Sequence, residues 1–430
     1  MRASAYPLVD AAGAAALVLQ HTPVLGTETV ALADAYGRVL AADLVASSAL
    51  PPHPASAVDG YAVRAADAGR TLRVVGESAA GRPLSAHVDA GTAARILTGG
   101  VVPEGADTIV MVEDTRVDGE SVTVPDGLKA GTNLHRPGSD LRAGERVMPA
   151  GTQLGPAEIG LAAALGAPRL QVHRRPAVAL MSTGDELVEV GETPGPGQIP
   201  DSNRWALLAA LREAGADVRL LGIAPDRAED LRKLVIGALR EADALVTSGG
   251  VSVGTHDLVK PLLESLGTVH IGRVKLKPGK PFTFATVFPS PASGAQIERE
   301  QRVHAAPGAQ GQGEGKRLAF GLPGFPVSSL VTFEVFVRPA LRKMQGFAQL
   351  QRPSLPVRLG FHAQAVGDRT EYHRVTLRRE GAELVATSTG SQSSSRLMSL
   401  AGAHALVRVP PGDQGISAGS VVEALILALP

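Results

Sequence analysis

From Arg175 to about Met344, short apolar runs alternate with stretches of helical period, and this alternation restricts the fold more than any other feature of the chain. "PAVALMST", "DVRLLGIA" and "DALVTS" have the length of strands, with "SNRWALLAALREAGA" and "DRAEDLRKLVIGALREA" lying between them. In the second of these helices Leu231, Leu234, Val235, Ala238 and Leu239 recur at i, i+3, i+4, i+7 and i+8, the spacing of one buried face. In the first, Trp205, Leu208 and Leu211 are read as sharing a face. "TVHIGRVKL", "PFTFATV" and "RLAFGL" add strands, and "VSSLVTFEVFVRPALRKM" closes the region with a helix. Such alternation predicts a parallel-rich sheet covered on both faces.

The flanking segments have other textures. Residues 1–44 read as helix, with Leu32, Ala35 and Leu40 on one side, and 45–136 as an inserted β-rich domain of short alternating runs between Gly/Pro turns. Residues 137–175 return to strand, turn and helix and are read as rejoining 1–44 in one discontinuous domain. The α/β region then spans 176–348, and 349–430 form a last, β-barrel-like domain with alternation in "EYHRVTLRRE" and "AHALVRVP". A multidomain α/β chain also suits 430 residues, too many for one core. The Gly/Ala/Gln/Pro-rich stretch 289–316 cannot bury enough apolar surface to order itself and reads as a surface loop.

Composition excludes several classes of function. The 42 basic residues balance 42 acidic ones, which argues against a broad nucleic-acid or membrane-surface partner. No cysteine is present, so disulfides, thiolate zinc sites and cysteine nucleophiles are excluded, in keeping with a cytoplasmic protein. The apolar run Ala11–Leu19 is far shorter than the ~20 residues of a membrane helix.

In an open parallel sheet, ligands bind outside the carboxyl ends of the strands. Four motifs are expected there: "STGDEL" (182–187), "TSGGVSVGTHD" (247–257), "KLKPGKP" (275–281) and "GLPGFP" (321–326). Asp257 and Asp226 each precede a helix and have a plain alternative as N-caps, Glu229 completing a capping box with the latter; Asp201 invites the same reading. Capping does not account for the small residues Ser248, Gly249, Gly250, Ser252 and Gly254, which suit a loop whose amides cradle an anion. Arg273, Lys275, Lys277 and Lys280 place up to four cations at a shaped turn rather than on a solvated face. The acids Asp185, Glu186 and Asp257 cannot hold an anion unaided and make sense with Mg²⁺ between carboxylates and phosphates, Glu186 and Asp257 being the candidate ligands. In the insertion, Asp59 lies in the turn "SAVDGY", Thr98 precedes two glycines, and Glu113 and Asp114 follow an apolar strand; for Asp59, ordinary turn chemistry is the competing reading.

Taken in order, "SAVDGYAV", "LTGGVVPEGADTIV", "RPGSDLRAGE", "STGDEL", "DSN", "SGGVSVG", "LKPGKP" and "LPGFP" resemble the molybdopterin molybdenumtransferase family, which includes the C-terminal domain of gephyrin, and the resemblance covers almost the whole chain. It implies four domains, the third of the molybdopterin-binding α/β type, in an elongated homodimer. It also implies insertion of molybdenum from molybdate into adenylylated molybdopterin, with Mg²⁺ and release of AMP, at a site between the third domain of one subunit and the second of the other. By motif, the implicated residues are Asp59, Thr98, Asp140, Glu186, Asp226, Asp257 and Lys277, with Pro323, Pro326 and Ser394 or Ser395 at the substrate. Three positions depart from the family pattern: Phe325 stands for its usual asparagine, Thr255 for an acid, and Arg273 for a lysine. The 289–316 loop is also long for the family.

The resemblance further implies a handover from the preceding adenylyltransferase. Two other readings compete. A binding scaffold would keep the fold without turnover, as gephyrin's related domain also anchors receptors, and Phe325 is the main feature in its favour. The adenylyltransferase itself would lack the "SAVDGYAV" domain.

Overall fold

The computed structural model describes residues 6–224, 227–250, 258–289, 315–365 and 367–429. Contacts divide the chain into two compact units, Thr29–Val172 and Met1–Glu28 joined with His173–Pro430. The first forty residues contain one α-helix, α1 (Ala11–His21), capped by Asp10, whose carboxylate accepts the Gly13 amide. The helix read further along is absent: Thr27–Ala31 is a strand and Leu32–Asp34 a single 3₁₀ turn. The β-branched Thr27, Thr29 and Val30 favour the extended form, and Gly37 at φ 74° breaks any helical continuation.

The unit Thr29–Val172 carries a six-stranded sheet of β1 (Gly60–Val63), β2 (Thr71–Ser78), β3 (Thr92–Ile96), β4 (Thr108–Met111), β5 (Arg116–Asp118) and β6 (Ser121–Thr123). Its order is β4-β1-β3-β2-β6-β5. Both faces are covered, one by Tyr61, Val63, Leu72 and Val110, the other by Ala62, Ala94, Ile96 and Ile109. Helix α2 (Pro156–Ala164) packs through Ala162 with Leu40, Leu154 and Val172 in a separate small core.

The other unit is built on β7 (Ala177–Ser182), α3 (Ser202–Glu213), β8 (Asp217–Ile223), α4 (Ala228–Glu241), β9 (Ala244–Ser248), α5 (Val259–Leu266) and β10 (Gly267–Ile271). β11 (Val274–Lys277), β12 (Thr283–Val287), β13 (Arg317–Leu322), α6 (Pro326–Thr332), a π-helical turn Phe333–Val337 and α7 (Arg338–Met344) complete it. The sheet order is β8-β7-β9-β13-β12-β10. β8, β7, β9 and β13 are parallel; β12 runs against β13. Cores lie on both faces, one around Leu180, Val246 and Phe320, the other around Met181, Leu245 and Val235.

Two details differ from expectation. The buried face of α3 is Arg204, Leu207, Leu208 and Leu211, whereas Trp205 is 47% exposed, one step round the helix from that stripe. "KLKPGKP" does not end a strand of this sheet. β11 pairs in parallel with β15 (Thr370–Glu380) of the last region, Lys277 opposite Glu371. The turn after it still leads to the same place, because β12 begins at Thr283 opposite Gly321.

The last region is a closed five-stranded barrel of β14 (Ser354–Leu359), β15, β16 (Glu383–Ser388), β17 (Ala405–Val409) and β18 (Val421–Ile426). Its order is β15-β16-β14-β18-β17, closed by pairing of β17 with β15. Closure removes the sheet edges, and Val357, Leu359, Val375 and Val407 fill the interior. Among the described residues no helix is long and apolar enough to cross a membrane.

Asp201 caps α3 by accepting the Arg204 amide at 3.1 Å, and its other carboxylate oxygen lies 3.1 Å from the Arg204 guanidinium, both side chains being buried. Asparagine caps about as well as aspartate but leaves Arg204 facing a neutral group. Asp201→Asn is therefore expected to lower unfolding free energy by about 3 kcal/mol, the lower end for breaking a buried ion pair, since Glu189 still pairs with Arg204. An unchanged urea midpoint would reduce Asp201 to a cap.

Candidate active site

Three parallel strands stop at one level: Ser182 of β7 is opposite Ser248 of β9, and Ser248 is opposite Leu322 of β13. The ladder continues one step into the loops, where the Thr183 amide donates to the Ser248 carbonyl at 2.9 Å and the Gly249 amide to the Leu322 carbonyl at 3.0 Å. Gly249 and Gly250 have φ of 84° and 66°, a region that side chains disfavour. Space forbids a side chain as well: a Cβ on Gly249 would collide with the Thr183 carbonyl, and one on Gly250 would lie 2.6 Å from Thr183 Oγ1 and 2.7 Å from Val259 Cγ2. The glycines are there because two loops and a helix meet without room for a methyl group.

Asn203, in the first turn of α3, joins two of these loops: its Nδ2 donates to Ser248 Oγ at 2.8 Å and to the Gly324 carbonyl at 2.6 Å. The second loop is the "LPGFP" turn, in which Pro323 is buried, Phe325 is 60% exposed and Pro326 opens α6. Asp185 and Glu186 are exposed in the turn after β7. A Cβ on Gly184 would come within 2.5 Å of Glu186 Oε2, so the Glu186 carboxylate folds back over that glycine.

The barrel brings a further group to the same unit. Glu371, 3% exposed, accepts from Lys277 Nζ at 3.2 Å through one oxygen and lies 3.2 Å from His373 Nε2 through the other. Lys275 pairs with Asp368 at 3.0 Å, and the Arg273 guanidinium donates to the Tyr6 carbonyl at 3.0 Å; Lys280 is exposed. The lysine turn is thus not a set of free cations, since two of its members have carboxylate partners. Arg374, 1% exposed, donates to Ser399 Oγ at 3.1 Å and the Ser393 carbonyl at 3.2 Å, and its amide to Gln392 at 2.8 Å. Burial pulls its guanidinium down to about 10 against the opposing pull of Glu371. Burial also lowers His373, again opposed by Glu371. Arg374 so holds the serine-rich stretch, and the Ser394 carbonyl accepts the Val327 amide of α6 at 3.1 Å. Ser394 is thereby tied to the first turn of α6.

In the unit Thr29–Val172, Asp59 Oδ1 accepts both the Thr98 amide and the Thr98 hydroxyl, each at 2.7 Å. The hydroxyl, then the amide, hold the Asp59 carboxyl below its usual range. Asp140 is exposed, its amide donating to the Leu50 carbonyl at 3.0 Å. Asp226, Ser252, Gly254, Thr255 and Asp257 lie outside the described residues, as does nearly all of the 289–316 loop. α4 starts after Arg227, which makes no side-chain cap, and Glu229 pairs with Lys233 rather than with a cap. Among the described residues no three His, Asp or Glu side chains are grouped to hold a metal ion.

Asn203, Glu371, His373 and Arg374 did not stand out in the sequence as site residues. "DSN" entered only as a cap for Asp201 and as part of the family pattern, with no role for Asn203, and "EYHRVTL" only as an alternating strand. A signal was present in the latter, because four polar or ionisable groups in succession suit a strand buried on both sides only if they pair.

Family models match three successive stretches: the MoeA N-terminal region (domain I and II) at 9–166, a probable molybdopterin binding domain at 179–343, and the MoeA C-terminal region (domain IV) at 356–427. A molybdopterin molybdenumtransferase of Nostoc is 38% identical over 414 residues, covering 94% of this chain and 89% of that protein. Gephyrin of Dictyostelium discoideum is 36% identical over 99% of this chain, which spans 63% of its length. A molybdopterin biosynthesis MoeA protein of Pyrococcus horikoshii has a similar structure, with TM-score 0.78 and 27% identity over 98% of this chain and all of that one.

Thr98→Val removes one of the two donors to Asp59 and is expected to raise the Asp59 pKa toward the ordinary carboxylate value. Carbon-detected NMR titration of the side-chain carboxyl reads this directly. Because the native carboxyl is depressed, its contribution to stability is present above the unfolded-state value and lost as pH falls through the folded one. The variant should lose the part of that acid-side dependence that the hydroxyl supplies, the amide bond remaining, and an unmoved Asp59 titration would remove the Thr98 hydroxyl as a cause.

Proposed function

The chain belongs to the molybdopterin molybdenumtransferase family, and on that premise we propose that it inserts molybdenum from molybdate into adenylylated molybdopterin, releasing AMP and forming molybdenum cofactor. The observation that carries the reading is the joining of the Ser248–Gly250 loop to the Pro323–Pro326 turn by Asn203 at the carboxyl edge of one sheet, with Glu186 in the turn that follows β7 at the same edge. The narrow glycine loop brings backbone close to a phosphate, and the Gly250 amide, the next after the one that Gly249 gives to Leu322, serves as a donor. Lys277, Lys280 and Arg273 supply positive charge for the phosphoanhydride, Lys277 being held in place by Glu371. Ser394 and the prolines frame the substrate. Asp59 stays ionised through its two bonds from Thr98 and acts with Asp140 and Asp226 in handling molybdate and water.

Glu186 and Asp257 are the residues that would hold Mg²⁺. The Glu186 carboxylate, a hard oxygen donor exposed over Gly184, fits such an ion. When bound, the ion neutralises charge on the phosphate oxygens.

In this reading the chain acts as a cytoplasmic homodimer of four-domain subunits, the site shared between subunits, and receives its substrate from an adenylyltransferase.

The decisive assay is AMP release from adenylylated molybdopterin with molybdate and Mg²⁺; its absence from the native protein would exclude the enzyme. Mixed dimers of an Asp59→Ala chain and a Lys277→Ala chain should regain part of the activity that each parent lacks, and mixtures as inactive as the parents would rule out a shared site. Phe325→Asn should retain turnover and change apparent substrate affinity, because Gly324 and the two prolines keep the turn. Activity gained only on that substitution would favour the scaffold.

A further inference from the structure

Resting on the function proposed above, we infer that Asn203 is a positioning residue that commits the Ser248 hydroxyl to donate its proton to an oxyanion of the substrate. The carbonyl of Gly324 can only accept, so the atom of Asn203 that lies 2.6 Å from it is the amide nitrogen. The same nitrogen lies 2.8 Å from Ser248 Oγ. An amide NH₂ has no lone pair to offer, so Ser248 Oγ must accept there, and its own proton points elsewhere. Ser248 is 2% exposed, and among the described residues its side chain makes only the bond it accepts from Asn203. A buried hydroxyl that already accepts from an amide N–H, and so turns its own proton away from it, is matched to an acceptor-only oxygen. Phosphate and oxometalate oxygens are of that kind.

Neighbouring hydroxyls point to the same ligand chemistry. Thr183 Oγ1 and Ser182 Oγ are buried at the same strand ends and make no hydrogen bond among the described residues. Ser182, opposite Ser248 on the same face, is almost wholly inaccessible. The Asn203 side chain also fixes the distance between the glycine loop and the "LPGFP" turn, but a tether alone would not require Ser248.

The test is a double-mutant cycle read by calorimetric binding of adenylylated molybdopterin, with AMP and molybdate as separate arms. Asn203→Asp replaces the donor with an acceptor, which takes up the Ser248 proton. Affinity for the native partner should fall about tenfold, the size of one hydrogen bond to a charged group. On a Ser248→Ala background, Asn203→Asp should change affinity by no more than about twofold, since contacting residues couple. A loss in the AMP arm assigns the hydroxyl to phosphate, and one in the molybdate arm to the oxometalate. Equal losses from Asn203→Asp with and without Ser248 would overturn the inference. If that variant does not fold, Asn203→Ala takes its place in the same cycle, where coupling below about twofold is again fatal. AMP release is scored separately. A native protein that binds the substrate without releasing AMP sinks the functional reading while the cycle still decides Asn203, and one that binds none of the three ligands overturns the inference.

Discussion

The level at which β7, β9 and β13 end is the constraint from which the rest of the site follows. Ser182, Ser248 and Leu322 stand side by side, and the hydrogen bonds that continue past them draw three loops into contact. At that separation Gly249 and Gly250 leave no room for side chains, and their left-handed backbone would strain any other residue. Ser248 Oγ accepts from the Asn203 amide at this level, and α3 is held by the Asp201–Arg204 pair. A buried structural pair at the start of a helix thus orients the group that closes two loops.

The second organising element is the ionic group that Glu371, His373 and Arg374 of β15 form with Lys277 of β11. Lys277, Glu371, His373 and Arg374 are expensive to desolvate singly, and the structure offsets the cost by pairing Glu371 between two partners and surrounding Arg374 with hydroxyl and carbonyl acceptors. The acceptors of Arg374 include the backbone of the serine-rich stretch, which meets α6 through Ser394 and Val327. The barrel is therefore more than an appended module, because its charges fix a segment against the first turn of α6.

Much of the architecture was legible from period alone. The α/β alternation, the strand ends carrying "STGDEL", "TSGG" and "GLPGFP", the Asp201 cap and the β-rich final region all follow from local pattern. The errors share one origin. The part of the 1–44 helix reading that lies beyond α1, the face assigned to Trp205 and the sheet assigned to "KLKPGKP" each required knowing which partner a segment meets. β-branched residues and a lysine-rich turn have no preference strong enough to choose a partner by themselves.

The sequence by itself determined which chemistry is present: glycines where backbone must approach closely, prolines bounding a turn, carboxylates and lysines at strand ends, and no thiol anywhere. These are properties of residue type and short spacing, readable within a few positions. Only the tertiary structure decided which of those groups are free. Lys277 and Lys275 are engaged by Glu371 and Asp368, almost a hundred residues away, and Asn203 reaches Ser248 and Gly324 across two loops. Hydrogen bonds and ion pairs act over about 3 Å, so whether a cation is a ligand or a partner depends on what the fold brings beside it.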